Sequence, residues 1–121
     1  MTTTPAFDHI ALTVPNLNDQ VNRLINDLGL AVHRRMDGFA VLVDPGSGLR
    51  FELSASDDDA VHVRHLGFRA ADVDGAHADL VAAGMASSQE PHRQDFAQMY
   101  TSYLRQPGCV EVQLVRYDDG A

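Results

Sequence analysis

The amino-acid sequence predicts an α+β fold, two tandem βαβββ modules that build a cupped, mixed sheet. Three observations predict it. The stretch from Phe7 to Asn18 recurs as Val63 to Asp74, which sets His65 on His9, Gly67 on Ala11, Val73 on Leu17, Leu80 on Leu24 and Val81 on Ile25. In both copies a strand-like alternation gives way to a helical stripe that stops at a glycine, Gly29 or Gly84. The closing segments also match, Leu49 to Ser54 on Val110 to Val115, so that Glu52 falls on Gln113. With 121 residues, 45% of them hydrophobic and 21% charged, the chain fits one compact domain with a real core. The two repeats must share it, as a first module over about residues 6–55, a linker over about 56–60 and a second module over about 61–117.

The first strand runs from Phe7 to Val14, with Ile10, Leu12 and Val14 on one face and Phe7, His9, Ala11 and Thr13 on the other. Pro15-Asn16 breaks it and starts a helix whose stripe is Leu17, Val21, Leu24, Ile25 and Leu28. Strands over Leu30 to Met36 and Phe39 to Val43 flank the hairpin signal Asp37-Gly38, and Leu49 to Ser54 follows the loop from Asp44 to Gly48. Asp57-Asp58-Asp59 is a solvated linker and lacks the periodic oxygens and glycine of a calcium loop. The second half is expected to give a strand over Val61 to Ala70, a helix over Val73 to Ala83 and a short strand near Met85 to Ser87. A loop through Pro91, His92, Arg93, Gln94 and Asp95 comes next, within a segment from Gln89 to Gln98 that closes the pocket. Strands near Gln98 to Arg105 and Val110 to Arg116 follow, joined by the turn Gln106-Pro107-Gly108, and Tyr117 to Ala121 reads as a frayed tail.

A formal net charge of −8 opposes phosphate backbones and acidic membrane surfaces, so nucleic acid and membranes are not expected partners. The single cysteine, Cys109, excludes an internal disulfide and a cysteine-rich zinc module. The first residues carry no basic segment followed by an apolar run, and no apolar run spans a bilayer. A soluble, cytoplasmic protein is expected.

One histidine on a strand is more often a core or surface residue than a ligand. Two at equivalent positions of a repeat, each followed two residues on by a small side chain, Ala11 or Gly67, spell a pocket. On the closing strands one face carries Arg50 and Glu52, and its counterpart carries Glu111 and Gln113. If the apolar faces pack under the helices, His9, Glu52, His65 and Gln113 project onto one concave surface. Two imidazoles, a carboxylate and an amide oxygen suit a divalent zinc, nickel, cobalt, manganese or iron(II) ion, with room left for water or substrate.

The segment His9-Ile10-Ala11-Leu12-Thr13-Val14, the helix end Asp27-Leu28-Gly29-Leu30, the strand Gly48-Leu49-Arg50-Phe51-Glu52-Leu53 and the closing Pro107-to-Leu114 strand resemble the vicinal oxygen chelate superfamily. That superfamily contains glyoxalase I, methylmalonyl-CoA epimerase, extradiol dioxygenases, fosfomycin-resistance enzymes and bleomycin-binding proteins. The resemblance covers nearly the whole chain and implies a glyoxalase/bleomycin-resistance/dioxygenase-like fold. It also implies one ligand on the first and one on the last strand of each module, which carries over to His9, Glu52, His65 and Gln113. One departure stands out. The family usually has glutamate where Gln113 stands, and glutamine cannot take a proton; Glu111, two residues earlier on the same strand face, is either a rival ligand or a base beside the site.

Three functions follow from the resemblance. The first is a metal-dependent lyase or isomerase acting on a small oxygenated molecule, in which the metal stabilises an enolate or enediolate and Glu52 or Glu111 removes the α proton. Arg50 and Arg69 would bind a substrate carboxylate or phosphate, or else face solvent or pair with a local acid. The second is an iron(II) extradiol dioxygenase, with His9, His65 and a carboxylate from Glu52 or Glu111. The third is a protein that sequesters an antibiotic or metabolite without chemistry, although such relatives typically lack the ligand histidines. Open sheet edges also predict a homodimer, and the resemblance implies that one subunit's His9 and Glu52 can meet the other's His65 and Gln113, as the modules do across the interface in some members. The remaining histidines carry structural expectations: His62 opposite in face to His65, His33 without a matched partner, His77 packed or partly exposed on the inner stripe of its helix, and His92 in the loop before the last two strands, over the pocket. Tyr100 and Tyr103 differ in strand parity, so at most one faces the site.

Overall fold

The computed structural model describes residues 4–118. Its eight strands and two helices follow as β1 (Ala6–Val14), α1 (Leu17–Leu28), β2 (Ala31–Met36), β3 (Phe39–Val43), β4 (Arg50–Ala55), β5 (His62–Arg69), α2 (Val73–Ala82), β6 (Ala86–Gln94), β7 (Met99–Arg105) and β8 (Glu111–Tyr117). A 3₁₀ turn covers Asp95–Ala97. The fold is mixed α+β, and the chain divides into two compact units, His9–Arg64 and Met1–Asp8 with His65–Ala121.

In the unit His9–Arg64 the strands lie in the order β2-β3-β4-β1. β1 and β4 are parallel, whereas β4 with β3 and β3 with β2 are antiparallel. The apolar face of this sheet packs against α1: Val14, Val21, Ala40, Leu42 and Leu53 form the buried centre, with Leu12, Leu17, Leu24, Ile25 and Leu30 around it. Asn16 takes the left-handed conformation at the helix start. Gly29, at φ 74, ends the helix, its N–H bonding to Ile25 and that of Leu30 to Leu24, a C-terminal closure that favours glycine. The exposed Asp58 organises a turn before β5, accepting from the Ala60 N–H (2.9 Å), the Ser56 hydroxyl (2.8 Å) and His62 (2.9 Å).

In the other unit the order is β5-β8-β7-β6. β5 and β8 are parallel, and β8 with β7 and β7 with β6 are antiparallel. The arrangement of strands within each unit is thus the same. Ala70, Val73, Ala76, Leu104 and Leu114 form the buried centre under α2, with Phe68, Leu80, Met85, Tyr100 and Val112 packed on it. Asp72 caps α2 by accepting from the Gly75 N–H at 2.9 Å. Phe7 packs edge-on against Phe68, with ring centroids 5.6 Å apart.

Two expectations are corrected here. The short strand near Met85 to Ser87 and the loop through Pro91 to Asp95 are instead one strand, β6, and only Asp95–Ala97 leaves it as a 3₁₀ turn. β6 ends its strand order and its residues are largely exposed, so it needs no apolar alternation. Pro91 falls where the register with β7 shifts, between Gln89 and His92, and there its missing N–H interrupts no regular ladder. His92 therefore lies in a strand, its Nδ1 at 2.8 Å from the Glu90 carbonyl. Tyr117 and Asp118, expected in a frayed tail, are both tied down. β8 includes Tyr117, whose hydroxyl donates to Asp8 at 2.7 Å, and Arg93 binds Asp118. Residues 119–121 lie outside the described residues. No described helix is long and apolar enough to cross a membrane.

Candidate metal centre

In the unit His9–Arg64, strand alternation and register place the first pair of donors. β1 and β4 align His9 with Arg50 and Ala11 with Glu52, so these four residues share the face turned away from α1. His9 is 1% exposed. Its Nε2 stands 3.3 Å from Oε2 of Glu52, whose side chain is 24% exposed. Bonds of about 2.0–2.2 Å to a tetrahedral or octahedral ion separate neighbouring donors by roughly 3–3.5 Å. The imidazole and carboxylate therefore already stand at ligand spacing. Ala11, also 1% exposed, keeps the place beside Glu52 small.

The other unit repeats the geometry with different chemistry. β5 and β8 align His65 with Glu111 and Gly67 with Gln113, the same relation that joins His9 to Arg50 and Ala11 to Glu52. His65 and Gln113 are both buried. The Tyr103 ring meets His65 edge-on, centroids 5.5 Å apart, and Tyr103 is also the β7 neighbour of Gln113. Tyr103 is thus the tyrosine on the histidine's face. Tyr100 is on the α2 side, where its hydroxyl donates to Asp74 at 2.8 Å; this bond and burial raise its pKa, and Arg116 lies 5.0 Å over its ring. The Gln113 amide nitrogen donates to the Thr101 hydroxyl at 3.0 Å, and that hydroxyl donates to the Leu114 carbonyl at 2.6 Å. Glu111, aligned with His65, receives Arg105 at 3.3 Å.

The two arginines differ in setting. Arg50 sits beside His9 in the β1–β4 register. Arg69 is engaged by a carboxylate: its Nε lies 3.2 Å from Oδ1 of buried Asp8, which also accepts from Tyr117. A substrate anion would have to compete with Asp8 for this guanidinium. His62 bonds to Asp58, and His33 is exposed on β2 where the register shifts. His77 is 4% exposed, with Nδ1 at 2.8 Å from Ser102 Oγ and Nε2 at 2.9 Å from Ser87 Oγ. Ser87 in turn donates to Glu90, which with His77 holds the Glu90 carboxyl below its ordinary pKa. His77 thus ties α2 to β6 and β7. Thr101 and the Tyr103 contact were not foreseen from the sequence; the only signal there is that both fall on alternate positions of one strand.

Two units of identical strand order, each with a histidine on its first strand and a polar donor on its last, define the class. A model of the Glyoxalase/Bleomycin resistance protein/Dioxygenase superfamily matches residues 6–114, and the chain belongs to that superfamily. Among solved structures it is similar to methylmalonyl-CoA epimerase from Mycobacterium tuberculosis, with 23% identity, 95% of this chain and 91% of that chain covered, and a TM-score of 0.76. A Streptomyces coelicolor methylmalonyl-CoA epimerase variant in complex with 2-nitronate-propionyl-CoA gives 23%, 93%, 97% and 0.73 for the same quantities. A hypothetical protein from Bacillus halodurans gives 15%, 93%, 94% and 0.76. These likenesses establish the fold. No curated protein matches the chain by sequence.

Proposed function

We propose that the protein is a metal-dependent isomerase of the epimerase type, acting on a small 2-substituted acyl substrate whose α proton it removes and returns. The observation that carries this reading is the buried His9 imidazole held 3.3 Å from the Glu52 carboxylate, at the spacing of two ligands of one ion. In this reading His65 and Gln113 supply the other two donors, and two histidines with a carboxylate are a donor set suited to a divalent ion. The four meet either within one chain or across a homodimer. A bound divalent ion would supply a Lewis acid for neighbouring substrate oxygens and favour the enolate over the protonated acid.

The chain's own groups then divide the work. Glu52 and Gln113 hold the ion, leaving the proton to Glu111, the carboxylate aligned with His65. Arg105, 3.3 Å away, orients the Glu111 carboxylate, and a positioned carboxylate is the base that such a step requires. The carboxylate takes the α proton, the electron pair moves onto the carbonyl oxygen, a water delivers a proton to the opposite face to invert the centre, and Glu111 then gives its proton up to solvent. In this reading Arg50, aligned with His9, binds a substrate carboxylate. The likeness to a structure holding 2-nitronate-propionyl-CoA supports an acyl thioester as the first substrate class to try.

The test is to load the protein with cobalt, nickel, zinc, manganese or iron(II) and incubate it with a 2-substituted acyl-CoA in D₂O. Deuterium appearing at the α carbon, dependent on the ion and lost in Glu111→Gln, is the expected result. Exchange that is absent with every ion, or unchanged in Glu111→Gln, sinks the reading as written. The donor set His9, Glu52 and His65 also has the composition of a two-histidine, one-carboxylate iron site. Selective retention of iron(II), with oxygen uptake on a catechol, would make the extradiol dioxygenase the better reading.

A further inference from the structure

We infer that Thr101 is a positioning residue that fixes the direction of the Gln113 amide, so that Gln113 presents its oxygen and not its nitrogen as the donor end. The inference rests on the proposed metal site and adds to it the device that makes a glutamine serviceable there. Unlike a carboxylate, an amide can be the wrong way round: its two ends are nearly equal in size, and its NH₂ cannot ligate a cation. Something must choose between them.

Hydrogen-bond accounting makes the choice. Thr101 is fully buried, and its hydroxyl lies 2.6 Å from the Leu114 carbonyl oxygen. A carbonyl only accepts, so the single hydroxyl proton is committed there and the Thr101 oxygen has only lone pairs to offer to Gln113. At 3.0 Å from that oxygen the amide must therefore present N–H. The same nitrogen lies 4.0 Å from the Met99 sulfur, a weak acceptor for its second proton. Turning the amide over would set an oxygen against an oxygen with no proton between them, in a buried setting where an unmet polar contact is expensive. The Leu114 carbonyl, through Thr101, thus specifies which end of Gln113 is turned toward Thr101 and which is turned away. Its burial, 2% exposed, leaves little room for any other rotamer.

The experiment compares wild type with Thr101→Val, Thr101→Ser, Gln113→Glu and the double variant Thr101→Val/Gln113→Glu, after urea unfolding has shown that each is folded. Two quantities are read: affinity for nickel or cobalt by calorimetry, and the Gln113 side-chain NH₂ resonances, assigned by their absence in Gln113→Glu. Thr101→Val should weaken the ion roughly 10- to 100-fold, the range seen when a group that orients a ligand is removed. It should also shift or double the NH₂ resonances, and Thr101→Ser, which keeps the hydroxyl, should restore both. A carboxylate has two like ends and needs no orientation, so the Thr101→Val loss should largely vanish in the Gln113→Glu background.

If wild type binds the ion and Thr101→Val binds it equally well, the positioning role is overturned while the metal reading stands. An equal loss in the Gln113→Glu background overturns it too, by showing that the hydroxyl acts through strand packing. If wild type binds none of the ions, the metal reading falls, and the resonances alone decide: unchanged in Thr101→Val they overturn the fixed amide, and shifted with rescue by serine they uphold it.

Discussion

The two halves share strand order, register and the placement of a histidine beside a small residue, but they differ in what holds the second donor. In the unit His9–Arg64 the carboxylate of Glu52 faces His9 directly at 3.3 Å. In the other unit Gln113 is tied to the Thr101 hydroxyl and His65 is packed against Tyr103. The neighbouring position on the closing strand is reversed in charge, Arg50 in one copy and Glu111 in the other. A repeat can thus keep its backbone while its polar face specialises, because β pairing is set by main-chain bonds and side-chain alternation constrains only the buried face.

The largest expected effect tests whether the shared frame is equally well packed on both sides. Leu53 and Leu114 occupy equivalent places, each 1% exposed and each in the buried centre of its own unit. Leu53→Ala and Leu114→Ala should each lower stability by about 2–5 kcal/mol in urea unfolding, the range for a buried leucine replaced by a cavity. A clear loss for only one of them would mean that the halves are not energetic equivalents.

Making the halves chemically alike is the next test, and it can be done in two directions. Glu52→Gln gives both units a histidine and an amide, and the divalent-ion affinity should fall about 100-fold, about 2.7 kcal/mol, since the charge beside His9 is gone. Gln113→Glu gives both units a carboxylate, and the affinity should rise, but only by roughly tenfold. The gain is smaller because the Thr101 proton is committed to Leu114, so the new carboxylate faces a lone pair where the amide had donated. Calorimetry with nickel and manganese measures both, and a fall in Gln113→Glu would contradict the ligand assignment of Gln113.

The frame was legible in the sequence because it is written in periodicity. Alternation in β1, the stripe Leu17, Val21, Leu24 and Ile25, and the stop at Gly29 all follow from local rules, and the match of Glu52 to Gln113 reappears as the common register of β4 and β8 against β1 and β5. β6 was not legible. Ala86–Gln94 is polar, contains Pro91 and pairs along one side only, so nothing in its sequence distinguishes it from a loop. The pairing of Arg69 with Asp8 was equally hidden, because it joins residues far apart in the chain, and that of Gln113 with Thr101 was hidden because it is a side-chain contact between the paired strands β7 and β8. Polar faces carry their meaning in such encounters, whereas apolar faces carry it in spacing.

The smallest effect concerns two carboxylates, Asp58 before β5 and Asp118 after β8, both held below the ordinary carboxylate range for different reasons. For Asp58 the largest cause is the Ala60 backbone N–H, followed by the hydroxyl of Ser56 and by His62, and together they bring its pKa to about 2. For Asp118 the largest cause is the Arg93 guanidinium. A backbone donor does not titrate and survives side-chain substitution, so His62→Ala should leave Asp58 still well below its ordinary value of 3.8. Arg93→Ala should instead return Asp118 close to the ordinary range. Carbon-detected NMR titration of the two carboxyls distinguishes these outcomes. Because both folded pKa values are depressed, each group's contribution to stability is present above the unfolded pKa, near 3.8, and is lost as pH falls through the folded value, which for Asp58 is about 2. Both side chains are well exposed, so the change in stability itself should be slight and the titration midpoints are the sensitive readout. If Asp58 moved up as far in His62→Ala as Asp118 does in Arg93→Ala, the turn before β5 would be held by the histidine and not by its own backbone.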